Sequence, residues 1–594
     1  MQPFFYCPSM SDVKESYQQQ DWAKVIQQGK KLIQRDELAE NTIKETYLMV
    51  GSALKKSDQL DEAIAWYEKG IQRFPDLAGL HHNLGNCHRA KGDDRSRWVA
   101  IEHYLKAQSL GLNTGSLILS LAKTYQDLSF SALAYDTLKA WMSTKNVNEI
   151  PGPEHLVNLL DLSNILLSDE LSEPICKWCL DHFGELAKNS LQGQASLATY
   201  KAKAGDIDEA LEWFEKAKKS LVTMQEEEAY SLIEEQKLKD SEQALINAGW
   251  NLGCTLLKKG EMKTGWDLYN YGLLTPAGGL QKWQRALVKP YHNLQIPIWT
   301  GIPLKNQSIL VMGEQGIGDS MMFLQMLPSL LKETESITLV LPSRLTAIYQ
   351  RTYPTLKIYS DQDLNSLPEA KQFNYQIPCG SIPALKLQQW LKSGWEQTTL
   401  KADNNLVKEL RSKYLDNAKN KTLLIGISWS GGGKAERIRN KSLTTDQFKE
   451  IFHLFPEARF VSLQYGKVKK IADKWNSEGF NVIYDETVDA IKDMDRWLAQ
   501  VDACDLVISV ANTTVHGAGG LKKPTLCLQS RTSDWRWIEG CPYSYWYESV
   551  WTQCQARDGN WQPAIKAAKE WWENNSDKHT TKETKIKTIT NMIK

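Results

Sequence analysis

A carboxylate, an imidazole, a few cations and two glycine-rich turns are the groups in this chain that could do chemistry. Residues 313–319 read Gly-Glu-Gln-Gly-Ile-Gly-Asp, between the apolar run Ile309–Met312 and a helical-looking stretch, Met321–Leu331. A strand, a glycine-rich turn and a helix start in that order can hold a charged or hydroxylated ligand. Glycines admit close approach of backbone N–H groups, and a helix N-terminus favours anions. The turn is not a Walker loop, because Gly-Lys-Ser/Thr is missing. It is not a dinucleotide fingerprint either: Gly316-Ile317-Gly318 is followed by Asp319, and Met321 stands where the third glycine belongs. Gly316 and Gly318 are therefore candidate ligand-approach positions. Asp319, a carboxylate where those motifs carry phosphate-binding backbone, is a candidate general base. Its bland alternative is capping of the helix that follows.

A second group lies further along. Asn512-Thr513-Thr514-Val515-His516 follows the apolar run Leu506–Val510 and should open a helix. Hydroxyls and free N–H groups there can bind a diphosphate, the helix dipole adding to the attraction. His516, about one turn in, can donate to a phosphate oxygen. Arg437, Arg439 and Lys441 follow the turn Gly431-Gly432-Gly433, where a cation could offset charge growing on a leaving diphosphate without a metal ion. Gln464, ending the run Arg459–Leu463, is placed to meet a nucleotide. Each has an ordinary alternative: a cap, a satisfied buried histidine, a solvated charge run, a loop residue. Two further signals are weak. Cys176-Lys177-Trp178-Cys179 has no second pair and no histidine cluster, so packing is preferred to zinc. Asp493-Met494-Asp495 resembles a metal-binding DxD but reads better as an exposed helix face.

The chain must be large enough to position both groups. Its 594 residues imply two to four domains. The 71 basic and 71 acidic residues balance, which argues against nucleic-acid binding by bulk charge. No signal-like start and no run of apolar residues long enough to span a membrane is present, and the ten scattered cysteines suit reduced thiols, so a cytoplasmic protein is expected.

Residues 1–285 read as a helical repeat. With Gly51 as the small residue of a 34-residue unit, Tyr47, Ala63, Tyr67 and Pro75 fall where the tetratricopeptide pattern wants aromatic, small, aromatic and proline. Gly85 begins the next unit on schedule, with Tyr104 and Ala107 displaced by an apparent three-residue insertion near Gly92-Asp93-Asp94. Ala198, Ala210, Phe214 and Ala217 mark a later unit, and Gly253, Gly265 and Tyr269 another. The stretch 111–190 matches poorly. Beyond Thr275-Pro276-Ala277-Gly278-Gly279 the pattern changes to short aliphatic runs alternating with helices: Ser308–Val311, Ile337–Leu341, Leu423–Ser428, Arg459–Leu463, Asn481–Tyr484, Leu506–Val510 and Thr525–Leu528. Such alternation indicates parallel sheets with crossover helices.

The second half resembles a known family. Pro297-x-Trp299-x-Gly301, Glu314–Asp319, Phe373–Pro383, Gly426–Gly431 with Arg437–Leu443, and Val507–Gly519 leading to Lys523-Pro524 and Asp534-Trp535-Arg536-Trp537 occur in collinear order over about 295–555. Together they resemble tetratricopeptide-repeat-containing bacterial glycosyltransferases. These are related to the ADP-heptose:lipopolysaccharide heptosyltransferases and, distantly, to O-GlcNAc transferase. The resemblance implies an all-α solenoid followed by a GT-B pair of Rossmann-like α/β lobes. The expected divisions are 1–285 for the repeats, 286–405 for the acceptor-side lobe, 420–575 for the nucleotide-sugar-side lobe and 576–594 for a polar tail. A late helix is expected to cross back to the first lobe.

The implied reaction moves a sugar from a nucleotide-diphosphate donor to a protein or saccharide acceptor, with inversion and without a metal or other cofactor. Asp319 and His516 would be catalytic. Gly316, Gly318, Gln464, Arg439, Lys441, Asn512, Thr513 and Thr514 would bind the donor, and the repeats would select the acceptor or a protein partner. Lys441 aligns with the phosphate-contacting lysine of heptosyltransferases. Their aspartate-threonine-glycine is Ala511-Asn512-Thr513 here, which separates this chain from heptose specificity and keeps a non-catalytic scaffold as the alternative. Asp534-Trp535-Arg536-Trp537 suits helix packing and nucleotide contact equally.

Overall fold

Small and aromatic side chains close the helix pairs at the start of the chain. A Cβ on Gly51 would fall 2.3 Å from the Tyr67 ring, and one on Gly85 2.6 Å from the Tyr104 ring. Only glycine lets each tyrosine lie flat on the facing helix. The helices so joined are Glu40–Lys56 with Leu60–Arg73, and Ala78–Lys91 with Asp94–Ser109. The three extra residues of the second pair lengthen the start of its second helix. Seven positions separate Leu60 from Tyr67, and ten separate Asp94 from Tyr104. Val50, Leu54, Ala63, Leu80 and Leu84 form a continuous core with Tyr67, as stacked repeats require.

The structure, a computed structural model, describes all residues except 1–7, 36, 129, 145–176, 178–187, 227–231, 275–284, 286–295, 363–368, 393–395, 417–421, 433–437, 439–440, 467, 531–533, 557–559, 577–581 and 594. Cys176 and Cys179 fall outside the described residues. Two units divide the chain, Met1–Ser196 and Leu197–Lys594. The first is helical throughout its described part.

The second unit opens within helix Leu191–Ala204 and continues with helices Ile207–Glu226, Leu232–Lys258 and Met262–Tyr269. These share one unit with the α/β lobes, so the compact division falls at 196 and not at 285, where the sequence pattern changes. The physical reason is visible in the core. Trp266 and Tyr269 lie against Phe323, Trp535 and Trp546, deep among residues of both lobes.

Two parallel sheets follow. β1 (Ile309–Met312), β2 (Ile337–Leu341), β3 (Lys357–Ser360) and β4 (Tyr375–Pro378) pair in the order β3-β2-β1-β4. β5 (Leu424–Ser428), β6 (Arg459–Ser462), β7 (Val482–Ile483), β8 (Leu506–Val510), β9 (Thr525–Gln529) and β10 (Val550–Cys554) pair in the order β10-β9-β8-β5-β6-β7. Every pairing between these strands is parallel, and β1, β2, β5, β8 and β9 are buried along their whole length, as helix-covered strands are. β3 and β10 are edge strands with mixed polar residues, and the aliphatic pattern misses both. β4 lies inside the motif Phe373–Pro383.

Two local expectations change, and one stretch between the expected lobes gains a helix. The stretch Met321–Leu331 is not one helix: it begins at Ile317, tightens to a 3₁₀ turn at Leu324–Met326 and resumes at Leu327–Leu331. Pro328 sits in the first turn of that last piece, where it fits, since it cannot supply the N–H a continuous helix needs. The charged stretch 401–421 forms helix Asn404–Leu415, capped by Asp403, and buries Leu410 and Tyr414. The segment 576–594 is not a polar tail. Helix Lys582–Met592 inserts Ile589 into the main core, and Lys585 stands over the Trp551 ring at 3.8 Å. Among the described residues no helix is long and apolar enough to cross a membrane.

Candidate active site

The loops after the carboxyl ends of β1, β2, β5, β6, β7, β8 and β9 converge on one cleft of about 630 Å³. This is where open parallel sheets place ligands. Its floor is made where helix Ile317–Phe323 meets helix Thr513–Gly520. Gly318 makes that meeting possible: a Cβ there would lie 2.8 Å from His516 Cδ2 and 3.3 Å from Thr513 Oγ1. Gly318 thus acts in the approach of the lobes. Gly316 caps the first helix, and its N–H donates to Asp319 Oδ2 at 3.0 Å. Asp319 therefore makes the cap contact that its position suggests.

Asp319 is also one end of a charge network that sequence reasoning does not anticipate. Its Oδ1 accepts from Arg536 Nε at 2.6 Å, with Arg536 Nη2 at 2.5 Å. Arg536 Nη1 donates to Asp534 Oδ2 at 3.1 Å, and Lys441 Nζ stands 3.5 Å from the same oxygen. Carboxylate, guanidinium, carboxylate and ammonium thus alternate along the cleft wall. Burial works against the Arg536 charge, but Asp319 and Asp534 outweigh it and keep the guanidinium protonated. Arg536 also lies over the Trp535 ring at 4.3 Å. The signal for it was the Asp534-Trp535-Arg536-Trp537 run, whose alternate residues divide the tasks: Trp535 goes to the core, while Asp534, Arg536 and Trp537 line the cleft.

His516 also lines the cleft. Its ring stacks on Trp537, and Nδ1 lies 2.9 Å from the Tyr547 hydroxyl. Burial lowers its pKa to about 4, so it is neutral near pH 7. When Tyr547 donates to Nδ1, the proton of the neutral ring sits on Nε2.

The remaining predicted residues separate. Thr513, Thr514 and Lys441 line the cleft. Asn512 touches it, but its side chain is engaged in structure: Oδ1 accepts from Thr514 N at 2.8 Å, and Nδ2 donates to Ser428 Oγ at 2.7 Å and Ser430 O at 3.1 Å. Gln464 is not a lining residue. Its Oε1 accepts from Ser428 Oγ, Trp429 N and Ser430 N at 2.9, 3.1 and 2.9 Å. It holds the loop after β5, and Tyr465 beside it faces the cleft instead. Arg437 and Arg439 lie outside the described residues. Asp493 caps helix Met494–Ala503, and Asp495 pairs with Arg351, so that acidic pair is structural. Among the described residues no group of three or more histidine, cysteine and acidic side chains is arranged to hold a metal.

The chain can be set beside known proteins on this geometry. A tetratricopeptide repeat model matches residues 44–77. Over 571 residues, 93% of this chain and 87% of the relative, it is 23% identical to Protein FlbA of Caulobacter vibrioides. Among solved structures it is similar to a glycosyl transferase family 9 protein from Veillonella parvula, at 12% identity over 50% of this chain and 99% of that one, with a TM-score of 0.34. It is also similar to E. coli ADP-heptose LPS heptosyltransferase II, at 10% identity over 48% and 98%, TM-score 0.30. An O-GlcNAc transferase from Thermobaculum terrenum aligns at 9% identity over 94% of each chain, TM-score 0.23. In chain order a tetratricopeptide repeat precedes two parallel sheets, and the motifs that resemble tetratricopeptide-repeat glycosyltransferases fall among the strands of those sheets.

Proposed function

We propose that this chain is a glycosyltransferase that uses a nucleotide-diphosphate sugar. The observation that carries the reading is the cleft: Asp319, the first residues of helix Thr513–Gly520, Lys441 and Arg536 line it together. The helix end, the Thr513 and Thr514 hydroxyls, Lys441 and a neutral His516 Nε2–H receive the diphosphate. An acceptor O–H or N–H attacks the anomeric carbon, the bond from that carbon to the diphosphate oxygen breaks, and the electron pair leaves with the nucleoside diphosphate. The acceptor proton passes to Asp319, and the anomeric centre inverts. Lys441, Arg536 and the helix dipole stabilise the leaving charge, and the reaction runs without a metal ion. The helical repeats select a protein or glycan acceptor.

Two observations favour a second reading, a non-catalytic binding protein. Both Asp319 oxygens already have donors, and Ala511 stands where heptosyltransferases carry aspartate. The test is calorimetric titration with a panel of nucleoside diphosphates, followed by donor turnover with chelator present. Binding with turnover supports the transferase. Binding without turnover on any acceptor supports the second reading. Absence of binding across the panel refutes both.

A further inference from the structure

The turn that carries Asp319 is held from two sides. On one side Arg536 and His516 come from the second lobe. On the other, two successive turn residues reach into the helical segment that precedes the lobes. Glu314 is fully buried and pairs with Arg285 through both carboxylate oxygens, Oε2 accepting from Nη2 at 2.6 Å and Oε1 from Nε at 3.0 Å, while Arg285 also donates to Asn270 Oδ1 at 3.0 Å. Burial pushes the Glu314 carboxyl up, against the pull of Arg285. Gln315 is the next residue. It adopts φ +56, a left-handed conformation that a non-glycine residue keeps only where its surroundings hold it.

Both ends of the Gln315 amide are used. Nε2–H donates to the Tyr269 hydroxyl at 2.5 Å, and Oε1 accepts from Arg536 Nη2 at 3.2 Å. Arg536 then holds Asp319. Tyr269 itself is fixed: its ring lies beneath the Arg285 guanidinium at 4.7 Å and against Trp250 and Trp535 at 4.6 and 4.8 Å. A continuous line of contacts therefore runs from the last helical hairpin to the candidate base.

We propose that Tyr269 is a positioning residue for the reaction. Through Gln315 it sets the orientation of Arg536 and so aims the Asp319 carboxylate, which makes the final helical hairpin part of the active site. This rests on the glycosyltransferase reading. The strain at Gln315 is the cost of placing an amide between the two groups; glycine would relax the turn and break the line.

The test compares Tyr269→Phe, Gln315→Gly and the double variant in a transfer assay at saturating donor, with nucleoside diphosphate affinity and thermal melting measured beside it. Tyr269→Phe keeps the ring and removes one hydroxyl. Its kcat is expected to fall about tenfold, the scale of one lost hydrogen bond that orients a reacting group, with donor affinity within about twofold. Gln315→Gly should lower kcat similarly while its melting temperature changes little, because relief of the left-handed strain offsets the two lost hydrogen bonds. The double variant should be no slower than the slower single variant, since both substitutions break one line. Purely structural contacts would instead lower stability and leave kcat unchanged. Wild-type turnover with both single variants at wild-type kcat, or fully multiplicative losses in the double variant, overturns the positioning role alone. No turnover by the wild type overturns it together with the reading on which it rests.

Discussion

Asp319→Asn separates the base from the cap, and the structure sets what else it changes. Asparagine can still accept the Gly316 N–H, so the start of helix Ile317–Phe323 should survive. The ion pair with Arg536 does not. Both side chains are only 14% exposed, and removing one partner of a buried pair ordinarily costs about 3–5 kcal/mol. Here Asp534 still faces Arg536 at 3.1 Å, so the loss should be about 3 kcal/mol, the low end of that range; with the asparagine carbonyl kept on the Gly316 N–H, its amide nitrogen faces the guanidinium and accepts nothing from it. A protein of ordinary stability stays folded after that loss, with a lower melting temperature. The transfer rate should fall by roughly two or more powers of ten, the usual scale for a lost general base. Affinity for the nucleoside diphosphate should be unchanged or slightly tighter, because one negative charge leaves the anion's surroundings. The assays are steady-state transfer at saturating donor, calorimetric titration and melting by circular dichroism. A folded variant that transfers at close to the wild-type rate would refute Asp319 as base and leave it as a cap and an anchor for Arg536.

Other expectations follow from the same geometry. Gly318→Ala sets a gain of about 1 kcal/mol in helix propensity against overpacking of about 1–3 kcal/mol onto His516, so the melting temperature should hold or fall while nucleotide affinity drops; unchanged affinity would count against the close approach of the two helices. Removing residues 1–196 should leave a folded protein that binds nucleoside diphosphate, whereas removing 1–285 takes Trp266, Tyr269 and Arg285 from the core and strands Glu314, so soluble expression should fail; equal behaviour of the two truncations refutes this. His516 has its pKa lowered from 6.5 to about 4, so the unfolded chain binds the extra proton between those values and stability should decline as pH falls from 6.5 toward 4. His516→Gln should flatten that decline in denaturant titrations at pH 7.5 and 5.0, and should also weaken nucleotide binding. Added chelator should leave transfer intact; restoration of a chelator-inhibited enzyme by magnesium or manganese would overturn the metal-free mechanism.

Much of the fold was legible because the sequence carries its periods openly. The 34-residue spacing of Gly51 and Gly85 marked the helix pairs, since a tyrosine can cross a helix only where the side chain is missing. Runs such as Leu506–Val510 marked strands buried on both faces. The short edge strands β3 and β10 carry no such signal, because an edge strand meets water and alternates its chemistry. For the site, type and order determined that Asp319, Lys441, Thr513, Thr514 and His516 would fall just beyond strand ends, in the turns and first helical turns that follow, and these line the cleft. They did not determine which polar side chains remain available to a ligand. Gln464 and Asn512 stand at the right places in the sequence, yet their hydrogen bonds go to the loop after β5. Arg536 meets Asp319 across 217 positions of chain, and Tyr269 meets Gln315 across 46. No local period encodes such pairings. They arise when two sheets and a helical hairpin share one core, and burial then favours a partner for each charge and amide.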